Sequence, residues 1–218
     1  MKRRDRRALR VGEDGSLRLG RLEVSGGFLL WLALLWYLGM EEVLLWCLAA
    51  SLLHELGHAL AAWCMGAAVS RLRLTVVGAE MVLRPSRLLS YPQELVIALS
   101  GPAANLLTGL LAARLPGDWQ TVFIGSSVML GVFNLLPLAP LDGGQALRAL
   151  LSLLASPELG REVAGVLNAV GTAALLLVGG WVFLETGYNI SLFSVGLWVL
   201  AGTLGQTGTC HRAFRRLK

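Results

Sequence analysis

The chain alternates between long uncharged runs and short connections that carry nearly all of its charge. A membrane-spanning helix needs about 20 apolar residues, with about 17 as the lower limit. Six runs reach that length, so the pattern predicts an all-α polytopic membrane protein with six transmembrane helices. These predicted spans cover about residues 24–40, 43–69, 94–114, 119–138, 163–184 and 187–208.

The basic residues fall on one side of this six-span arrangement. Residues 1–23 form a basic leader before the first span, and residues 210–218 form a basic tail after the last one. With both ends in the cytoplasm, Arg114 is the one basic residue of the 19 that falls outside. Cytoplasmic loops are enriched in Lys and Arg. The charge pattern therefore predicts cytoplasmic N- and C-termini, with a single transmembrane domain over residues 24–209.

Two connections on the predicted cytoplasmic side have patterns of their own. Residues 71–84 alternate between apolar and polar and include β-branched side chains, which predicts a short strand or hairpin segment near the cytoplasmic face. Such backbone is tolerated near a membrane only where protein or a water-filled cavity covers it. Residues 145–156 predict a short amphipathic helix before the fifth span.

Composition narrows the classes of protein. The chain is 55% hydrophobic and 15% charged, whereas soluble domains are about 25% charged, so soluble, disordered and fibrous classes are excluded. The basic residues of the cytoplasmic segments account for the net charge of +5, and no nucleic-acid partner is expected. The three cysteines are an odd number without metal-ligand spacing, so no disulfide framework is expected.

The second predicted span contains the sequence HELGH. On a helix, His54 and His58 project from the same face one turn apart, and both imidazoles can bind one metal ion. Glu55 is placed to act as general base on water at that metal. Ionisable residues inside a span are energetically costly and typical of functional sites. The third histidine, His211, lies in the basic tail and is interpreted as a solvated or interfacial residue.

A catalytic zinc ion takes three protein ligands and keeps one position open for water. Asp142 is a candidate for the third ligand because two prolines precede it and two glycines follow it, a context that breaks the fourth helix. On a straight helix Asp142 would lie roughly 34 Å from the outer end of its span, against roughly 16 Å for His54. An alternative of equal weight makes Asp142 the N-cap of the helix that begins near Gln145.

These motifs together resemble the site-2 protease family of intramembrane zinc metalloproteases. The resemblance rests on HELGH in a span, on SGPAAN at residues 100–105 and on the stretch from Asn134 to Gly143, in that order. It covers about residues 26–205. It implies one zinc ion bound by three residues and a fourth residue that activates the water, and it favours the ligand interpretation of the aspartate. The implied ligands are His54, His58 and Asp142, and the implied water-activating residue is Glu55.

The resemblance also points to Asn105 and Asn134 as residues that position the substrate or the active site. Close helix packing is an equally good interpretation of the small residues Gly101, Ala103 and Ala104.

Within the family, the six spans and the compact size are most similar to the stage IV sporulation protein FB branch, which cleaves a membrane-associated sigma-factor precursor. Two features differ from relatives. The nucleotide-sensing CBS domain of that branch is absent from this sequence, and no loop is long enough for the PDZ domain of other branches. The resemblance implies an integral protein of a bacterial cell membrane, with regulatory membrane proteins as further partners.

The sequence therefore predicts an enzyme that hydrolyses a peptide bond of a membrane-associated protein within or next to the bilayer. Two histidines and one carboxylate suit zinc better than other divalent ions. The first alternative is a metal-ion transporter, although a transporter is expected to carry polar residues in several spans. The second alternative is a catalytically inactive membrane scaffold, against which the intact Glu55 argues.

Overall fold

The computed structural model describes residues 10–11, 17–19, 22–75, 78–85 and 89–215, with side chains described at 23–26, 28–30, 32–67 and 89–203. Within these residues the chain forms five strands and seven helices. The strands are β1 (Arg10–Val11), β2 (Leu17–Leu19), β3 (Leu22–Val24), β4 (Ala67–Thr75) and β5 (Gly78–Pro85). The helices are α1 (Gly26–Tyr37), α2 (Glu41–Cys64), α3 (Tyr91–Ala112), α4 (Gln120–Asn134), α5 (Asp142–Leu154), α6 (Pro157–Thr186) and α7 (Ser191–Arg215).

Six of these helices coincide with the six predicted spans, but they differ in length. By length and composition α2, α3 and α6 are candidates to cross a membrane, whereas α1, α4 and the apolar part of α7 are shorter. The part of the chain that the structure describes is therefore mostly helical with three candidate membrane-spanning helices, and the six-span arrangement stays a prediction. The second predicted span continued to residue 69, but α2 ends at Cys64 because β4 begins at Ala67.

Many large apolar side chains on these helices are exposed. Leu52 on α2 and Leu177 and Leu184 on α6 are among the most exposed. Extensive exposed apolar surface is rare on soluble monomers and is typical of surfaces that contact lipid or another protein. The exposure supports the prediction that these helices lie in a membrane.

The chain divides into two compact units. The first consists of Met1–Leu89 and Ser100–Phe133, and the second of Ser90–Leu99 and Asn134–Lys218. Part of the first unit's core lies where α2, the end of α3 and the start of α4 meet. Ala50, Ala112 and Phe123 are buried there, and the indole rings of Trp46 and Trp119 stack beside them with centroids 5.0 Å apart.

The first unit also contains a five-stranded sheet in the order β1-β2-β3-β4-β5. The β3–β4 pair is parallel and the other pairs are antiparallel. Strands β4 and β5 occupy the residues of the predicted hairpin segment, whereas its position near the cytoplasmic face stays a prediction. The strands β1 to β3 were not predicted, because runs of two or three residues carry too little alternation to be recognised. The rest of the predicted leader, residues 1–9, 12–16 and 20–21, lies outside the described residues.

In the second unit, α6 packs against both α5 and α7. Ser156 is the N-cap of α6, and its hydroxyl oxygen accepts a hydrogen bond from the backbone N–H of Leu159 at 3.1 Å. Pro157 occupies the first helical position, where its missing N–H costs nothing. These two residues start the helix six residues before the predicted span at 163–184.

The break between α4 and α5 also belongs to the second unit. Residues 135–141 are not helical, as the two prolines predicted. The prediction that the two glycines help to break the helix is wrong, because Gly143 and Gly144 lie inside α5. A Cβ atom on Gly143 would overlap the carbonyl oxygen of Leu135, and one on Gly144 would overlap that of Leu138. The glycines therefore allow the non-helical segment to pack directly on the first turn of α5.

Candidate metal centre

The two histidines of HELGH lie on α2 in the predicted arrangement. His54 and His58 are both buried, and one helical turn separates them. Their Nε2 atoms are 3.1 Å apart, and the two rings meet nearly edge to face with centroids 4.7 Å apart. The helix thus directs two imidazole nitrogens toward the same point.

This separation fits a shared metal ion. Two nitrogens bound to one tetrahedral zinc ion, each at 2.0–2.1 Å, lie about 3.3 Å apart. The observed 3.1 Å between the Nε2 atoms is close to that value. The pair therefore fits two positions of a zinc coordination sphere without a change of helix geometry.

Glycines on α2 and α3 make room for the imidazole pair. A Cβ atom on Gly57 would lie 2.6 Å from the carbonyl oxygen of Ser100 and 2.8 Å from Cβ of Ala104, so the two helices touch at this point. A Cβ atom on Gly101 would overlap Nε2 of His58 and would lie 2.8 Å from Nε2 of His54. Gly101 therefore keeps open the space in front of both nitrogens.

The packing interpretation of the SGPAAN motif is confirmed for Gly101 and Ala104 and wrong for Ala103, which is exposed. Sequence reasoning had no means to find the second role of Gly101, because the signal for it is the contact between two helices.

Asn105 on α3 contacts the histidine pair from the other side of His54. Its side chain is fully buried, and its Nδ2 atom lies 3.2 Å from Nδ1 of His54. This contact leaves Nε2 as the nitrogen of His54 that faces His58. The structure therefore brings together three of the predicted site residues within the first unit.

The predicted general base Glu55 follows His54 directly on α2 and is half-buried. Successive residues on a helix are rotated by about 100° around its axis. Glu55 is therefore beside the imidazole pair in sequence and on an adjacent face of the same helix.

Asp142 and Asn134 belong to the second unit, and their positions are given relative to other residues of that unit. Asn134 is the last residue of α4 and Asp142 is the first residue of α5. Leu141 is the N-cap, because its carbonyl oxygen accepts the first helical hydrogen bond, from the N–H of Gln145. The N-cap interpretation of Asp142 is therefore wrong.

Asn168 on α6 holds the non-helical segment that precedes Asp142. Its Oδ1 accepts a hydrogen bond from the N–H of Ala139 at 2.8 Å, and its Nδ2 donates to the hydroxyl of Thr203 on α7 at 3.0 Å. Sequence reasoning missed this residue, although an amide inside an otherwise apolar predicted span was a usable signal.

Three comparisons with known proteins bear on what this arrangement does. The profile of Peptidase family M50 matches residues 119–178. A provisionally named zinc metalloprotease, Rip3 of Mycobacterium tuberculosis, is 35% identical over 170 residues, which cover 66% of this chain and 42% of the relative. A zinc metalloprotease of Methanocaldococcus jannaschii is 28% identical over 159 residues, which cover 69% of this chain and 44% of that one. The chain thus spans less than half the length of these curated relatives.

A solved structure is similar as well. The site-2 protease from Methanocaldococcus jannaschii matches with a TM-score of 0.60 and 26% sequence identity, over 83% of this chain and 88% of that one. These likenesses support membership of the site-2 protease (M50) family. The family-level resemblance predicted from the sequence is therefore supported. Membership of the stage IV sporulation FB branch among site-2 proteases stays a prediction.

Proposed function

We propose that this protein is an intramembrane zinc metalloprotease that hydrolyses a peptide bond of a membrane-associated protein. The observation that carries the proposal is the buried pair of Nε2 atoms, 3.1 Å apart on an apolar helix. Burial of two imidazoles in such a helix is costly, and a bound cation offsets that cost. The match to Peptidase family M50 and the names of the relatives, which are zinc metalloproteases, are consistent with hydrolysis.

His54, His58 and Asp142 are the proposed ligands of one zinc ion. Two imidazoles with one carboxylate are a donor set that zinc takes in catalytic sites. The exclusion of the N-cap role supports the assignment of Asp142. Zinc, when bound, supplies Lewis acidity that activates water and polarises the scissile carbonyl.

Glu55 is the proposed general base. Its carboxylate accepts a proton from the attacking water and returns it to the nitrogen of the leaving peptide. His54 and His58 hold their positions because α2 is continuous through both residues and α3 packs against it. The exposed apolar side chains of α2 and α3 support the proposal that the cleaved bond belongs to a protein in or next to the bilayer.

The finer predictions from the sequence are part of this proposal. We propose six spans in one transmembrane domain over residues 24–209, with the leader and the tail in the cytoplasm of a bacterial cell. Strands β4 and β5 then lie near the cytoplasmic face. The proposed substrates include a sigma-factor precursor of sporulation, and regulatory membrane proteins are proposed partners. Asn134 is proposed to position the substrate or the active site.

The experiment is a comparison of the wild type with Glu55→Gln. Each is expressed as the full chain in bacterial cells, and new N-terminal peptides from membrane proteins are identified by mass spectrometry. We expect fragments with the wild type and a loss of about 10²–10⁴-fold with Gln, the usual contribution of general acid–base catalysis. The zinc content of the purified variant stays equal to that of the wild type, because Glu55 is not a ligand in this proposal.

Glu158→Gln is the matched control. Glu158 is an acid on α6 whose side chain is 71% exposed and which lies 3.5 Å from Arg161 on the same helix, so fragments are expected at the wild-type level. Equal fragment patterns for the wild type and Glu55→Gln would contradict the protease assignment. Zinc flux into vesicles that contain the purified protein would favour the transporter instead.

A further inference from the structure

The side-chain amide of Asn105 is incompletely bonded in a fully buried position. Its Nδ2 atom lies 3.2 Å from Nδ1 of His54, whereas its Oδ1 atom has no hydrogen-bond partner among the described residues. The great majority of buried polar atoms have a partner. The two ends of an amide have nearly the same shape and exchange places when the group rotates by 180°. The orientation of this amide therefore has to be decided from chemistry.

The tautomer of His54 decides it. A neutral imidazole carries its proton on one nitrogen only, and a nitrogen that binds a metal ion must be the unprotonated one. If Nε2 of His54 binds zinc, its proton lies on Nδ1, and Nδ1–H needs an acceptor. The NH₂ group of Asn105 is a donor only, whereas Oδ1 is an acceptor.

Two hydrogen-bond arrangements follow, and they exclude each other. In the first, Nδ2 of Asn105 donates to Nδ1 of His54, and Nε2–H of His54 donates to Nε2 of His58 across 3.1 Å. The proton between the two Nε2 atoms then occupies the position of the metal. In the second, the amide is rotated, Oδ1 accepts from Nδ1–H, and Nε2 of His54 presents its lone pair.

We propose that Asn105 is a positioning residue whose Oδ1 accepts a hydrogen bond from Nδ1–H of His54 and so keeps Nε2 of His54 unprotonated for the metal. The proposal rests on the proposed function in one respect, the assignment of His54 as a zinc ligand. The orientation of the Asn105 amide and metal binding by His54 are therefore coupled.

Two substitutions test this role, Asn105→Leu and Asn105→Asp. Leu has the same branched heavy-atom skeleton as Asn and no acceptor, whereas Asp keeps an acceptor and removes the NH₂ donor. Zinc affinity of the full chain in detergent is measured by competition with a chelator. We expect Leu to weaken zinc binding by about 10–100-fold, as removal of the partner of a ligand histidine usually does. Asp restores most of the affinity.

A second readout is the protonation pattern of the imidazoles, observed by NMR of the protein labelled with ¹⁵N-histidine. Assignment uses His211→Gln in the tail. With zinc bound, we expect a protonated Nδ1 in His54 of the wild type and of Asn105→Asp. In zinc-free Asn105→Leu, we expect both tautomers of His54 to be populated.

Ser127→Ala is the matched control. Ser127 on α4 is fully buried, and within the part of the chain that the structure describes its hydroxyl oxygen also lacks a hydrogen-bond partner. The substitution therefore perturbs buried polarity without touching His54. Zinc affinity and the histidine spectra are expected to stay at wild-type values.

Wild-type zinc affinity together with an unchanged tautomer in Asn105→Leu would overturn the positioning role and leave the proposed protease function intact. Failure of the wild type to bind zinc would overturn the proposed function. In that case, the tautomer of His54 in zinc-free wild type and Asn105→Leu still decides the role of Asn105, and identical spectra would overturn it.

Discussion

His54 and His58 lie on an unbroken helix, whereas Asp142 follows seven residues that are not helical. The positions of the histidines relative to each other follow from helix geometry alone, since residues four apart share a face. The position of Asp142 depends on contacts that hold irregular backbone, including the hydrogen bond that the N–H of Ala139 donates to Asn168, 29 positions away. The first part of the proposed site is therefore set locally in the chain, and the second part is set by tertiary packing.

The largest expected effect comes from filling the space in front of the histidines. In Gly101→Ala, the added Cβ overlaps Nε2 of His58 and approaches Nε2 of His54 to 2.8 Å. We expect zinc affinity to fall by more than about 100-fold, beyond the usual effect of changes outside the coordination sphere. The measurement is chelator competition on the purified chain, with helix content checked by circular dichroism.

Gly125→Ala is the control for this substitution, because a Cβ on that α4 glycine would have no described neighbour within 4 Å. Its zinc affinity is expected to equal that of the wild type. Wild-type affinity in Gly101→Ala as well would show that the metal does not bind in front of the two Nε2 atoms.

The next prediction tests whether Asp142, which follows the non-helical segment, is a metal ligand. Asp142→Asn keeps the size of the side chain and removes its charge. If Asp142 is a ligand, we expect zinc affinity to fall by about 100-fold. Loss of a residue that contacts a ligand from outside the coordination sphere costs about 10–100-fold, and loss of a ligand costs at least as much. If Asp142 only provides a negative charge in the first turn of α5, the change costs about 0.3–1 kcal/mol of stability and leaves zinc binding intact. Thermal unfolding and chelator competition on one sample separate the two outcomes.

The smallest effect concerns the residue that holds the irregular segment. Asn168→Ala removes the acceptor for the N–H of Ala139 and the donor to Thr203. We expect a loss of about 1–3 kcal/mol in unfolding free energy, the cost of leaving a buried polar group without a partner. Asn168→Asp keeps the acceptor and should recover part of this loss. Equal thermal stability of all three proteins would show that the segment is held by other contacts.

The sequence predicted the parts of the molecule whose geometry is local. The helical positions of His54 and His58, and the break before Asp142, required only periodicity and the known properties of proline. The strands β1 to β3 were not predictable because runs of two or three residues carry too little alternation, and the partner β4 of β3 follows some 50 residues later in the chain. The role of Gly101 was hidden because it acts through side chains on another helix, whereas Asn168 carried a usable signal, an amide in an apolar span, that was missed.

The length of α6 has a mechanical consequence. Its 30 residues span about 45 Å at 1.5 Å per residue, whereas the hydrocarbon layer of a bilayer is about 30 Å thick. Such a helix tilts or projects into the headgroup layer, and the extent changes with lipid chain length. Because Asn168 on α6 is hydrogen-bonded to Ala139, a change of tilt displaces the backbone that leads to Asp142. Lipid chain length thereby becomes a physical variable that acts on this aspartate, and bilayers of graded thickness are a direct way to vary it.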